Sequence, residues 1–344
     1  PPGQEPPDLA GQWSSREETL DALAGSRAWL EREHARQFFP AAGITHERAL
    51  ASVARLEELL QKSLDGSSFA GAVEREYDWF VSAGWDGRGG GVLYTGYFTP
   101  IFQGSLQQNA VFRYPLYRVP PDLVKKKDGE VLGMRAPSGG TLPYPDRAAI
   151  DGRGLLEGQG LELVWLADPF DAYLCHVQGS AFVELPDGEL YKLGFGGTNG
   201  RDYTSLAEEL VRAGELPDDH RGLPDLREWA SENPEQVEEY LHKNERYVFF
   251  TPISGTPHGS LDFPVTAWHS LATDKRLFPR GAPVVVEASF PGGPQGEASS
   301  KRLLAFDQDT GGGIRTAGRA DLYVGIGDRA GDVAGRTRSE GQLY

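Results

Sequence analysis

Cysteine is nearly missing from this chain of 344 residues: Cys175 stands alone, so no intramolecular disulfide can form and no multi-cysteine zinc site can be built. Its neighbours Leu174 and Val177 read as a buried strand carrying an inert thiol. One cysteine does not fix the redox compartment, because many proteins of oxidising compartments have no disulfide. Basic residues are also few, 34 Lys and Arg against 50 Asp and Glu, for a formal net charge of −16. Binding to a phosphate backbone needs a basic face, so nucleic acid is not an expected partner. There is no run of eighteen apolar residues, and no charged-then-apolar leader opens the chain. HExxH and GxSxG are both missing, which removes zinc-protease and serine-hydrolase chemistry. The glycine-rich stretch Gly194 to Tyr203 (GFGGTNGRDY) lacks the lysine and hydroxyl of a P-loop and matches GxGxxG only in part. Neither a cofactor nor a metal is expected.

What is abundant is glycine and proline, 44 and 24 residues, which favours short strands joined by turns over a helical bundle. The length suits two domains. The chain opens on PPGQEPPDLAGQW, a proline-rich polar stretch that reads as a tether. Ser15 with Glu18 then forms a capping box ahead of Leu20, Leu23 and Leu30, predicting a helix over about 16–37. A second helix is predicted from His46 to Leu64, with Leu50, Val53, Leu56 and Leu60 on one face. Both read as packing helices. Past the glycines at 87 and 89–91, Val92 to Tyr94 reads as a strand leading into Gly96, Tyr97, Phe98, Thr99 and Pro100. Tyr97 and Phe98 alternate across that strand, so one can pack while the other offers a flat ring to a sugar.

In the middle, Lys125, Lys126, Lys127 and Asp128 read as a solvated loop. Leu161 to Leu166 reads as a strand, His176 as a structural strand histidine, and Ala181 to Leu193 as a hairpin turning at Asp187 and Gly188. Ser205 with Glu208 caps a helix; Pro224 and Pro234 stand at first helical positions, with Asn233 as a cap before Val237, Tyr240 and Leu241.

The last forty residues carry the chemistry. Asp309 ends an apolar strand pattern (Leu303 to Phe306) and leads into Gly311, Gly312 and Gly313; Asp321 opens a second apolar run, Leu322 to Val324, closed by Gly325 and Gly327. Asp307, Asp309 and Gly312 suggest a calcium loop, but glycines stand at its fifth and twelfth positions, 311 and 318, where ligands are needed. Turn chemistry is the plain alternative for such aspartates.

The pattern DxGGxI followed by RxDLYxGxGxxAxxxAG closely resembles the terminal three-aspartate domain of the membrane-bound lytic transglycosylase A family. Gly96 to Pro100 is similar to that family's GYYxP-like signature, and WxxDPxDxYxxxVQGS and GxNGxxY are present at Trp165 to Ser180 and Gly197 to Tyr203. The resemblance implies a mainly β fold with peripheral helices: a double-psi β-barrel from residues 1–103 and 244–344, a second β-barrel domain inserted at 104–243, and a glycan groove between them. It implies a peptidoglycan lytic transglycosylase that cuts the MurNAc-GlcNAc β-1,4 bond and leaves a 1,6-anhydromuramic end. Asp321 then serves as acid and base, Asp309 supports it, and Asp274 is the third, structural aspartate. Tyr97, Thr99, Gln178, Gly179, Ser180, Asn199 and Tyr203 are the implied glycan contacts. The family also implies a periplasmic protein held at the outer membrane by a lipid anchor, with glycan strands and the wall-synthesis machinery as partners.

Two other chemistries stay open on the residues alone. An inverting hydrolase would use both aspartates and a water, and a noncatalytic expansin-like wall binder would keep the aromatics and tolerate loss of Asp321. Either aspartate could hold the raised pKa.

Overall fold

A computed structural model describes residues 7–126, 129–292 and 296–344; the first six residues of the proline-rich opening, and Lys127 and Asp128, lie outside the described residues. In chain order the helices α1 (Arg16–Leu30), α2 (His46–Lys62) and α3 (Gly66–Glu76) precede strand β1 (Val92–Thr99). Then come β2 (Ile101–Ser105), β3 (Tyr114–Tyr117), β4 (Leu123–Lys125), β5 (Val131–Arg135), β6 (Thr141–Leu142), β7 (Glu162–Leu166), α4 (Pro169–Gln178), β8 (Ala181–Glu184) and β9 (Leu190–Thr198). The helices α5 (Leu206–Ala213), α6 (Leu223–Glu232) and α7 (Val237–His242) lead to β10 (Val248–Pro252). The chain ends on β11 (Ser270–Ala272), β12 (Pro283–Phe290), β13 (Ser299–Asp309), β14 (Arg319–Ile326), α8 (Asp328–Arg336) and β15 (Arg338–Leu343).

Two compact units result, one holding residues 1–98, 258–325 and 332–344, the other 99–257 and 326–331. In the first unit six strands close into a barrel in the order β1-β14-β11-β13-β12-β15. Val284, Val285 and Val286 pair with Ala305, Leu304 and Leu303, β-branched and apolar residues that suit a pleated, buried wall. Helix α1 presents Thr19, Ala22, Leu23, Ser26, Trp29 and Leu30 on one buried face, the three-and-four spacing of a helix laid on a core. Leu23 and Leu30 are fully buried with Leu304 and Phe306 of β13, burial that contributes about 1.5–3 kcal/mol per side chain.

Residues 16–37 do not form one helix. The chain enters α1 from a 3-10 turn over Ala10–Ser15, Ser15 makes no side-chain cap and donates instead to Gln12 O, and a second 3-10 turn covers Glu33–Phe38. Helix α2 matches its apolar pattern, with Thr45 accepting from Arg48 N at its start. Helix α3 was not anticipated; Asp65 and Ser68 form a reciprocal capping box at its start.

In the second unit six strands form one sheet in the order β10-β9-β8-β2-β7-β3, and β4-β5-β6 form another. A parallel bridge between Arg118 and Phe250 links the two outer ends of the larger sheet, which curls it toward the closure expected of an inserted barrel. Strand β10 pairs with β9 throughout, so residues 244–257 stand in this unit and not with the first domain, where they were expected. The segment around Cys175 and His176 is a helix, not a strand. Asp168 accepts from Asp171 N as its N-cap, Pro169 takes the first turn, and Gly179 closes it at φ +77°. Cys175 is buried in that helix. Asn233 ends α6 and does not cap α7, because its side chain donates back to Trp229 O. Lys125 lies in β4 with Nζ donating to Gly196 O, more engaged than a solvated loop lysine.

Candidate active site

Strand β11 is the middle rung of the site. It runs parallel to β13 and antiparallel to β14, and Ala272 pairs with Asp309 on one side and with Asp321 on the other. Residues directly paired across strands point to the same face, so the two carboxylates share a row about 9–10 Å apart at the backbone. A bulge makes this alignment: Leu271 pairs with Asp307, Ala272 with Asp309, and Gln308 is passed over.

Each carboxylate is half-buried and held by named donors. Asp321 Oδ1 accepts from Thr95 Oγ1 at 2.9 Å, and Arg319 Nη2 donates to the same Thr95 hydroxyl at 3.3 Å. Thr95 and Tyr97 lie two apart on β1 and so share a face. Tyr97 OH donates to Asp309 Oδ2 at 2.9 Å, with its ring 5.2 Å from that of Tyr323. Strands β1 and β13 are three steps apart in a closed ring of six, so this bond ties opposite walls of the barrel. Asp309 Oδ1 accepts from Ser260 N at 2.9 Å and Thr310 N at 2.8 Å. Gly259 permits the first of these, since a Cβ there would meet Gln308 O at 2.7 Å.

Desolvation dominates the electrostatics. It lifts the Asp321 carboxyl from 3.8 to about 6, outweighing the Thr95 hydrogen bond and the Arg319 charge, and the neighbouring Asp309 adds to the rise. Burial also raises Asp309, against its hydrogen bonds from Thr310, Tyr97 and Ser260 and the charge of Lys275. Lys275 is ion-paired to fully buried Asp307, whose Oδ1 also accepts from Thr273 Oγ1 at 2.6 Å.

Asp274 is held the opposite way. Arg276 donates to it from its backbone, Nε and Nη2, and Thr316 N donates at 3.1 Å, so its carboxyl is held well below the usual range. It supports the turn after Asp309, where Thr316 has φ +73°.

The expected glycan contacts fall into separate groups. Tyr97 stands with the aspartates. In the second unit Thr99 Oγ1 and Ser180 Oγ lie 3.1 Å apart, both buried, beside Gly179 and Gln178 at the end of α4. Asn199 corrects its expected role. Its amide donates to Pro145 O and Glu245 O and accepts from Tyr247 N and Arg201 N, which commits all four hydrogen-bonding positions to backbone. Tyr203 bonds the Tyr173 hydroxyl, which also accepts from Asn244. His176 is structural, with Nδ1 against Val248 O and its pKa well below normal through burial. Sequence reading missed Thr95, Ser260, Lys275 and Gln308. Arg319 was within reach, two residues before Asp321 in the quoted RxD.

A half-buried carboxyl near pH 6, beside a second carboxylate clamped by three donors, is the equipment of acid and base chemistry on a polar substrate. Among the described residues no group of His, Cys, Asp or Glu is arranged to hold a metal. The MltA specific insert domain matches residues 93–251 and the 3D domain matches residues 269–344, together more than half of the chain. The membrane-bound lytic murein transglycosylase A of Vibrio cholerae is 33% identical over 260 residues, 74% of this chain and 65% of that relative. Among solved structures, a membrane-bound lytic murein transglycosylase from Agrobacterium tumefaciens superposes with TM-score 0.77 at 26% identity, covering 98% of this chain and 92% of its own. E. coli MltA with bound chitohexaose gives TM-score 0.70 at 25% identity, covering 100% and 91%. The chain belongs to the membrane-bound lytic murein transglycosylase A family. Its match spans just under two thirds of the length of the curated relative.

Proposed function

We propose that this protein is a peptidoglycan lytic transglycosylase in which Asp321 is the single acid and base. The carrying observation is the half-buried Asp321 carboxyl, lifted to about 6 by desolvation at the row it shares with Asp309. Protonated, it gives its proton to the oxygen of the MurNAc-GlcNAc β-1,4 bond. The bond from the anomeric carbon to that oxygen breaks, and GlcNAc leaves with a new hydroxyl. The C6 hydroxyl oxygen of the muramic residue attacks the anomeric carbon and its proton returns to Asp321. A 1,6-anhydro ring forms and no water is consumed.

Asp309 stabilises the positive charge that develops at the anomeric carbon. Its oxygens already accept from Tyr97, Ser260 and Thr310, which suits a fixed electrostatic partner better than a base that must bind and activate a water. Gln178, Gly179 and Ser180 offer hydrogen bonds to the glycan, with Thr99 fixing the Ser180 hydroxyl. The chitohexaose held by the E. coli relative supports a glycan of this linkage as ligand. The relatives are named membrane-bound murein transglycosylases, which supports action on the wall at a membrane; a periplasmic location with an outer-membrane lipid anchor is part of the proposal. Among the described residues no helix is long and apolar enough to cross a membrane.

The test is mass spectrometry of the fragments released from peptidoglycan by the protein and by Asp321→Asn. Anhydromuramic ends from the first and a loss of about 10²–10⁴-fold in the second are expected. Reducing ends in place of anhydro ends would transfer the case to a hydrolase.

A further inference from the structure

The amino-terminal helices look like decoration on the barrel, yet one of them reaches the row of carboxylates. Gln308 is the residue passed over by the bulge in β13, and its side chain is 2% exposed. Its Nε2 donates to Ala22 O and, at 2.9 Å, to Ser26 Oγ, both on α1; its Oε1 accepts from Ser270 Oγ at 2.6 Å, on β11. Ser270 Oγ in turn accepts from Thr266 N at 2.8 Å. Helix α1 comes this close because residue 25 is glycine: a Cβ there would stand 3.2 Å from Phe263 Cβ and 3.5 Å from Gln308 Nε2. One amide therefore clips α1, β11 and β13 together at the point where the register slips.

Bulges are uncommon between parallel strands, and the extra residue leaves the local ladder unpaired, so the register needs a side-chain lock. Without the slip, Ala272 would face Gln308, and Asp309 would move one place along and out of the row of Asp321. We propose that Gln308 is a positioning residue: held by Ala22, Ser26 and Ser270, it fixes the bulge that sets Asp309 level with Asp321 across Ala272. This rests on the roles given above to the two aspartates. Helix α1 thereby belongs to the catalytic apparatus without touching substrate.

The groups facing the two carboxylates define what a displaced bulge changes. Asp321 faces Thr95 from β1, Arg319 from its own strand and Asp309 from β13; Asp309 faces Tyr97 from β1, Lys275 beyond β11, and the backbone of Ser260 and Thr310. Moving Asp309 away removes a contribution that raises Asp321, while Arg319 and Thr95 stay.

The experiment uses the full chain with Gln308→Leu and Gln308→Asn, and with Asp321→Asn as control. Anhydro-product formation from soluble glycan strands is followed over about pH 4 to 8. The expected result is a fall in kcat of about 10- to 100-fold with KM within about twofold, and a shift of the alkaline limb to lower pH. A lower melting temperature with kcat per folded molecule and pH profile unchanged overturns the proposal, leaving Gln308 a stabilising residue only. Where Gln308→Leu does not fold, Ser26→Ala removes one partner of the three. A kcat loss of about 2- to 10-fold with the same limb shift then supports positioning, and an unchanged profile overturns it. Asp321→Asn turning over at the parent rate sinks the underlying catalytic reading; Asp321→Asn inactive beside unaffected Gln308 variants sinks the positioning proposal alone.

Discussion

Asp274 and Asp321 belong to the same unit and are pushed in opposite directions, the first held ionised by Arg276, the second lifted to about 6 by desolvation. Such divergence separates a structural carboxylate from an acid. In the proposed reaction Asp321 carries a proton at the outset, so kcat/KM should fall as pH rises through about 6, and a pH-rate profile checks it. The same shift acts on stability. Between 3.8 and about 6 the folded state holds the proton and the unfolded chain does not, so stability declines as pH rises through that window. Asp321→Asn removes the penalty and should stabilise the protein by up to about 3 kcal/mol at pH 7, with no gain below about pH 4, read by urea unfolding at both. Tyr97→Phe deletes one of three donors to Asp309 and should lower kcat by about 10-fold with little change in stability, since the ring keeps its contact with Tyr323. Asp309 and Asp321 were legible because each stands in a specific stretch with its glycines. Thr95, Ser260 and Gln308 were not. Thr95 meets its carboxylate across 226 positions of chain and Ser260 across 49, and a hydroxyl or amide in a strand has no local signature of its partner.

Helix α4 shows what an element owes to its ends. Tyr173 to Val177 is a mostly apolar run that periodicity alone does not assign to strand or helix, and its neighbours favour a strand. The start and stop signals decide otherwise: Asp168 caps, Pro169 supplies a preset φ, and Gly179 takes the left-handed turn at φ +77°. The helix that results, Pro169–Gln178, makes nearly three turns and buries Phe170, Ala172, Tyr173, Leu174, Cys175 and His176, more faces than one strand could bury. Asp168→Ala should cost about 1 kcal/mol. Gly179→Ala should cost about 1–2 kcal/mol, the penalty of a Cβ at positive φ, and should also disturb Ser180 beside it. Denaturant midpoints measure both. At Ser15 the reverse happened: the capping-box spacing was present, but a 3-10 turn leads the chain into α1, and the serine hydroxyl bonds Gln12 O. Local signals held where tertiary structure left the terminus free to use them.

At the scale of the molecule the two units differ in how the chain builds them. The barrel draws β1, Val92–Thr99, from before the middle segment and its other five strands from after residue 257, so both pairings of β1, with β14 and β15, join distant chain. That discontinuity was expected only from the family resemblance, which puts one signature at Gly96 to Pro100 and the three-aspartate stretch after the middle segment; no composition step marks residue 99 or 257. The second unit is different. Among the described residues, apolar clusters around Val164 and Phe250, around Trp229 and Tyr240, and around Tyr117 and Phe249 are built wholly from residues between 102 and 250. A stretch that carries its own cores and pairs its own sheet meets the physical conditions for an independent domain. Residues 99–257 expressed alone should therefore fold, giving dispersed amide resonances and a single cooperative urea transition. Residues 1–98 alone hold one of six barrel strands and should give α-helical signal without cooperative unfolding, because the buried face of α1 has lost Leu304, Phe306 and the Gln308 clip. If the isolated middle segment instead shows collapsed resonances and a gradual transition, its cores depend on the barrel unit, and the two units fold as one.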